Sequence, residues 1–454
     1  MTSPTRGFSS SEKAPLGALA LVGATFAVMG FRLFQLTAQN AVNVFYWDQW
    51  DFDDATLFED HSLWEIFRWQ HGPHRQGLGG LLSALVEPLF HWNSRTEAFL
   101  AAGLVVAAGL CGWYLKYRLF GSLSWKDVII PMIMLTPARW DMIWMTVNLA
   151  HVILPILVIF YCLAWTCKNE RTKFTLIVIL TFLITYTGYG FFVGFLTPVL
   201  LFASYRAHTS RARTDKYYLV GCTVASVASL VSFLVGYRLD PASNCPSVFA
   251  PAVSQYLWFM DLMYAAPFSI TGLGLISRFV GAIGLVLAAA AAWYGWKEVL
   301  AKEGKQLPVS YAIAALSAFV LLFCPPAALA RTCDGLFTAH ASRYTNYMQL
   351  STLSLYFCSL MVHWPRLRID PAAVLLVLVL PPAVMNRVDP DRMESFRKTK
   401  AAWRTCILAG RSMPECNKEA GSVYPFPQRT HLQDKLDYLQ STQQGLFADD
   451  PGVH

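Results

Sequence analysis

The sequence predicts an all-α polytopic membrane protein with about 11 transmembrane helices, a helical first outer loop and a small outer C-terminal tail. Three observations carry this prediction. Hydrophobic side chains make up 55% of the 454 residues and charged ones 14%, against about 25% charged in average soluble proteins. Mean hydropathy is +0.39. Apolar runs recur up to residue 385, whereas 19 of the 65 charged residues fall in 386–454. This balance excludes an ordinary soluble enzyme, a disordered chain, a coiled coil and a small disulfide scaffold.

Residues 1–15 form a polar N-terminus, expected in the cytoplasm. The apolar run 16–38 is too long for a signal-peptide core and lacks a small-residue cleavage site. It reads as a retained first transmembrane helix, since about 20 residues cross the hydrocarbon. Further runs occupy 97–115, 128–138, 149–166, 174–187, 189–205, 217–237, 270–296, 309–330, 344–362 and 371–385. Several hold proline (Pro131, Pro155, Pro198, Pro325, Pro326), tolerated where neighbours satisfy the freed carbonyls. The stretch 77–92 contains Glu87-Pro88 and is placed as a helix on the outer surface.

Cation placement sets the expected orientation. With the N-terminus inside, the inner loops 116–127, 167–173, 206–216, 297–308 and 363–370 hold 15 Lys and Arg. The outer loops before the tail hold no lysine, only Arg68, Arg75, Arg95, Arg139, Arg238, Arg331 and Arg343. If 77–92 crossed, every later loop would invert and the pattern would fail. An odd number of spans puts the tail outside. The chain therefore divides into 1–15, a membrane body 16–385 with a first outer loop at 40–96, and an outer tail at 386–454 that reads as a small soluble appendage. The basic pI near 8.8 is a topology signal and does not point to nucleic acid. Ten cysteines show no metal spacing. Cys406 and Cys416 in the tail suit a disulfide, and Cys245 and Cys333 are a second candidate pair.

The unusual side chains lie on the outer side. The first outer loop holds Asp48, Asp51, Asp53, Asp54, Glu59, Asp60 and Glu65, interleaved with Tyr46, Trp47, Trp50, Trp64 and Trp69. The bland reading is a solvated acidic loop with interfacial aromatic anchors. The functional reading is a carboxylate, Asp48 or Asp51, acting as general base on an acceptor hydroxyl. An apolar interfacial setting raises a carboxylate pKa and a neighbouring arginine opposes the rise. Asp53 and Asp54 are further candidate substrate contacts. His71-Gly-Pro-His74-Arg75 turns at Gly-Pro and gathers donors suited to a phosphate or a sugar hydroxyl. A divalent cation held by these histidines with Asp51 or Asp53 is left open, although no HExxH spacing occurs. Arg331, His340, Arg343 and Tyr344 form a third cluster. Arginine without lysine suggests bidentate phosphate geometry rather than charge alone. Arg139 and Asp141, near Asn148 and His151, are weaker candidates, and these, like Asp261 and Tyr264, fit a structural role better.

This layout resembles the GT-C superfamily of integral-membrane glycosyltransferases, which use polyprenyl-phosphate sugars and carry an acidic motif in the first outer loop. WDQWDF, HGPHR and SRY near residue 342 are similar to motifs of bacterial membrane proteins whose loops read roughly DDW and HEHR and whose tails end in YP-x-P, here Tyr424-Pro425-Phe426-Pro427. The resemblance implies that Asp48 deprotonates the acceptor and that Arg331 and Arg343 hold the donor phosphate. Gln49 departs from the paired acid, so Asp51 is the candidate second carboxylate. HGPHR lacks the Glu of HEHR, which leaves that residue's role unfilled. The expected partners are the bilayer, a polyprenyl-phosphate sugar and a glycan or lipid-linked acceptor, in a bacterial inner membrane. Three rivals stand beside this reading. A transporter or flippase predicts midplane charges and inverted repeats. A polysaccharide polymerase or ligase predicts a large late loop. A structural membrane subunit predicts no site at all.

Overall fold

In a computed structural model the chain is described over residues 16–207, 213–238, 251–270, 272–301, 307–361, 370–384, 390–421 and 431–448. The N-terminus 1–15, Cys245, residues 208–212 of the cationic loop and the segment 424–427 lie outside the described residues. The fold is that of an all-α membrane protein. Among the described residues, five helices are long and apolar enough to cross a membrane. They are α1 (Leu16–Asn40), α5 (Ser94–Phe120), α10 (Arg213–Leu234), α12 (Leu275–Leu300) and α13 (Leu307–Arg331). Further helices fill the bundle: α7 (Leu149–Ala164), α8 (Glu170–Thr185), α9 (Phe191–Ala207), α11 (Val253–Ala265), α14 (Ser342–Met361) and α15 (Pro371–Val384). Large apolar side chains such as Phe31, Val231, Phe279, Val286 and Val377 point outward. Apolar area on that scale outside a packed bundle fits lipid, not water.

Hydrogen bonds between helices hold the interior, as Tyr264 to Ser351 at 2.7 Å, Ser317 to Ser354 at 2.8 Å and Thr181 to Thr197 at 2.9 Å. At Gly295 a Cβ would stand 2.7 Å from Ala314 N, so only glycine lets α12 and α13 approach. At one end of the bundle Lys116 pairs with Asp127 at 3.0 Å and Lys126 pairs with Asp370. The other end carries the loop 41–93 and the C-terminal tail.

The run 128–138, expected as a span, contains only a six-residue helix, α6 (Ile129–Met134). At 1.5 Å per residue it covers about 9 Å. A turn at Pro137–Arg139 and a wide π-turn at Asp141–Met145 continue toward the loop end. Such broken backbone needs donors from within the protein. Arg139 supplies them by donating to Met134 O.

The first loop is built from short pieces: α2 (Gln49–Phe52), α3 (Leu63–Arg68), the hairpin β1 (Gln70–His71) with β2 (His74–Arg75), and α4 (Gly77–Val86). Helix α4 packs its first turn against the starts and ends of neighbouring helices. Gly77 lies against Tyr186 and Thr187, and Gly79 sits where a Cβ would fall 2.2 Å from Ala150 N. The ten residues of α4 cover about 15 Å, half the hydrocarbon thickness.

The tail is not a separate appendage. It forms α16 (Pro390–Leu408), α17 (Met413–Ala420) and α18 (Leu432–Thr442), with a disulfide joining Cys406 and Cys416. Trp403, Leu432, Leu436 and Leu439 share one buried cluster with Val44, Phe45, Tyr46 and Trp50 of the first loop. Cys333 is also disulfide-bonded.

Candidate active site

A cavity of about 490 Å³ opens at the loop end. Its lining joins four stretches far apart in sequence: Tyr46 to His74, Ala138 to His151, Arg331 to Thr345, and Arg392 with Phe396 from the tail.

Asp48 enters this cavity from the start of α2. Trp47, just before it, takes φ of +51°, a left-handed conformation uncommon for a large side chain. Gln49 then fixes the turn. Its Oε1 accepts from Tyr46 N at 3.1 Å, and its Nε2 donates to Glu97 at 2.9 Å and Ser94 at 3.3 Å. Its amide joins the Tyr46 backbone to the buried Glu97 carboxyl. Trp50 is fully buried between Phe45 and Phe58.

The acids of the loop divide by direction. His71 Nε2 stands 3.9 Å from Asp48 Oδ2. Burial alone would raise the Asp48 carboxyl, but His71, Arg343 and Arg331 together pull it below the ordinary value. Asp48 is therefore an ionised carboxylate facing arginines. Asp51 turns away from the cavity and lies 3.9 Å from Lys435 of the tail. Burial raises its carboxyl, with His71 and Lys435 opposing. Asp54 pairs with Lys435 at 2.6 Å. Asp53 is buried next to Glu87 and Asp54, and burial first, then those charges, push it well above the usual range. Of the four candidate aspartates in the loop, only Asp48 lines the cavity.

The HGPHR turn places its residues on opposite sides. Gly72 takes φ of +53°, pairing His71 with His74 across the hairpin. His71 packs edge-on against Phe52 with centroids 4.6 Å apart. His74 is buried on the cavity wall, 4.6 Å from the His151 ring. Arg75 departs from its expected role in binding substrate. It lies outside the cavity lining and donates to the carbonyls of Arg68, Phe233 and Val235. Its guanidinium sits over the Tyr186 and Phe233 rings. Its two bonds to carbonyls at the end of α10 and the ring contacts tie the hairpin to α10.

The late cluster supplies the cations. Arg331, His340 and Arg343 all line the cavity. Arg331 pairs with Asp334 at 3.1 Å. Arg343 follows Ser342, whose hydroxyl and N–H both bond Asp141, so Asp141 caps α14 and aims Arg343. Asp141 lines the cavity as well, and burial raises its carboxyl while Arg343 opposes. Tyr344 is buried beneath the Arg343 guanidinium, 5.8 Å away, and supports it without reaching the cavity. Arg139 is also outside the lining, donating to Asn346 at 2.7 Å and to Gln349. It braces α14.

Several lining residues were not singled out as ligand contacts. Asn148 and His151 read as structural from sequence, and both reach the cavity. Tyr189 lines it too, between Gly188 and Gly190, a glycine pair that could have marked a backbone turn near a site. Arg392 and Phe396 come from the tail, where composition pointed to solvent. Arg392 lies over the Trp140 and Phe396 rings at 5.8 and 5.7 Å. Among the described residues, no group of three or more His, Cys, Asp or Glu is arranged to hold a metal ion.

The arrangement offers the ionised Asp48 carboxylate, arginines from three elements and an aromatic rim in a single cavity. It can accept a proton from a hydroxyl and hold an anion at once. Compared with models of known protein families, with curated proteins and with solved structures, the chain has no match.

Proposed function

We propose that this protein is a membrane glycosyltransferase of the GT-C kind. It moves a sugar from a polyprenyl-phosphate donor to a glycan or lipid-linked acceptor on the face that carries the first loop and the tail. The observation that carries this reading is the meeting of Asp48 with Arg331 and Arg343 in one cavity, at one end of an apolar helix bundle. In the reaction, the acceptor oxygen bonds to the anomeric carbon and its proton passes to the Asp48 carboxylate. The bond from that carbon to the phosphate oxygen breaks, and the lipid phosphate leaves with the electron pair. Arg343 and Arg331 stabilise the charge it gains. Because Arg331, Arg343 and His71 hold Asp48 ionised, the base is ready at neutral pH.

The same reading places the chain in a bacterial inner membrane with about 11 crossings, the N-terminus in the cytoplasm and the tail outside it. The inner-loop cations support that orientation. Purified protein incubated with a panel of polyprenyl-phosphate sugars and a glycan acceptor tests the reading. Release of lipid phosphate is the expected result. Absence of turnover across the panel would shift weight to a transporter of lipid-linked solutes.

A further inference from the structure

The cavity wall carries polar groups that the transfer step above does not use. His74 is 4% exposed and Asn148 3% exposed, and both line the cavity. Neither ring nitrogen of His74 has a hydrogen-bond partner, and neither does Asn148 Nδ2. The other end of the Asn148 amide is committed. Its Oδ1 accepts from Ala150 N at 3.0 Å and His151 N at 3.3 Å, capping α7. A buried polar atom left unmet destabilises the fold that holds it. Three on one wall call for a partner that the chain itself does not supply.

The nearest side chains are otherwise engaged. His151 Nδ1 bonds the Tyr347 hydroxyl. The rings of His151, Tyr189 and His71 surround His74 at 4.6, 5.2 and 5.9 Å as packing contacts. Burial first, then the nearby His151, His71 and arginines, hold His74 well below the usual histidine range. A neutral imidazole presents one N–H donor and one lone pair. A hydroxyl, which donates and accepts, matches both. A phosphate oxygen or a carboxylate only accepts, and it would face the His74 lone pair unfavourably.

We propose that His74 and Asn148 form a subsite for a neutral group bearing adjacent hydroxyls. His74 both donates to and accepts from these hydroxyls, and Asn148 Nδ2 donates to them. The inference rests on the glycosyltransferase reading and deepens it. The group bound there is the sugar of the donor, held through its adjacent hydroxyls. His74 thereby reads sugar hydroxyls and leaves the phosphate to the arginines.

The test measures binding by full-length protein in detergent. The probes are undecaprenyl phosphate and its glucosyl, galactosyl and mannosyl derivatives. Wild type is expected to bind at least one neutral sugar lipid about tenfold or more tighter than the bare lipid phosphate. His74→Phe keeps the ring volume without the nitrogens. Asn148→Asp keeps the capping oxygen and removes the free donor. Each variant should lose most of the sugar gain while binding undecaprenyl phosphate within about threefold of wild type. His74→Gln, which keeps a donor and an acceptor, should retain part of the gain and guards against a folding defect. A sugar gain that survives in both His74→Phe and Asn148→Asp would overturn the subsite. Bare lipid binding without any sugar gain would overturn the subsite alone. Failure of undecaprenyl phosphate to bind wild type would overturn the underlying reading and this inference with it.

Discussion

Asp48 and Asp51 are three residues apart, yet their surroundings move them in opposite directions. Asp48 faces His71, Arg343 and Arg331 and is held below the ordinary carboxylate range. Asp51 faces the tail and is raised by burial. The acidic cluster was legible in the sequence because seven acids in an apolar chain stand out. Which of them meets the cavity was not legible, since α2 has only four residues and its orientation depends on side chains far away in sequence. Arginine without lysine was also legible, and it divides by role. Arg343 faces the cavity, whereas Arg75 and Arg139 satisfy backbone or amide oxygens. A fork-shaped guanidinium serves a phosphate and a bare carbonyl equally well, so residue type alone does not separate the two uses. Replacing Arg343 by lysine keeps the charge and loses the bidentate geometry. We expect Arg343→Lys to lower kcat/KM at least about tenfold with little change in melting temperature, measured by lipid-phosphate release and thermal unfolding.

At the scale of elements, the central contact joins the tail to the first loop. Lys435 of α18 donates to Trp50 O at 2.6 Å and pairs with Asp54, across 385 residues of sequence. Lys400 of α16 is buried and donates to Met145 O at 3.1 Å. Burial first, against an opposing Glu97, lowers its pKa to about 7. The charge-rich tail composition suggested an independent appendage because long-range ion pairs leave no local periodicity. The Cys406–Cys416 disulfide was expected from their shared position in the tail, and the structure contains it. Lys435→Met should leave Asp54 and Trp50 O without their partner. We expect a loss of roughly 3 kcal/mol in stability and faster proteolysis of the tail. Adding Asp54→Asn should restore a good part of that stability, because the stranded charge is then gone. Equal stability of the single variant and wild type would show that the docking is weak.

For the whole molecule, the apolar runs translated into helices almost one for one. The exception, 128–138, breaks after Met134, and Arg139 bonds the Met134 carbonyl that the Ala138 N–H would have met in an uninterrupted helix. Hydropathy counts apolar residues and is blind to such a substitute. The fold also stores a pH dependence. Glu87 is buried where α4 meets α5, bonded to Ser83, and burial raises its pKa from 4.5 to about 7. The folded state therefore holds this proton more tightly than the unfolded chain. Its contribution to stability is complete below pH 4.5 and is lost as pH rises to about 7. Glu87→Gln mimics the protonated acid at every pH. It should melt above wild type at pH 8 by an amount on the order of 3 kcal/mol at most, and the gap should close toward pH 4.5.

The central claim is that Asp48 is the base in a sugar transfer whose departing phosphate the arginines hold. The direct measurement is release of lipid phosphate from a turned-over polyprenyl-phosphate sugar, compared between wild type and Asp48→Asn in the presence of acceptor. The account predicts that Asp48→Asn binds the donor and melts as wild type does, while its turnover falls by a factor of about 10² to 10⁴. Turnover by Asp48→Asn at the wild-type rate would contradict it.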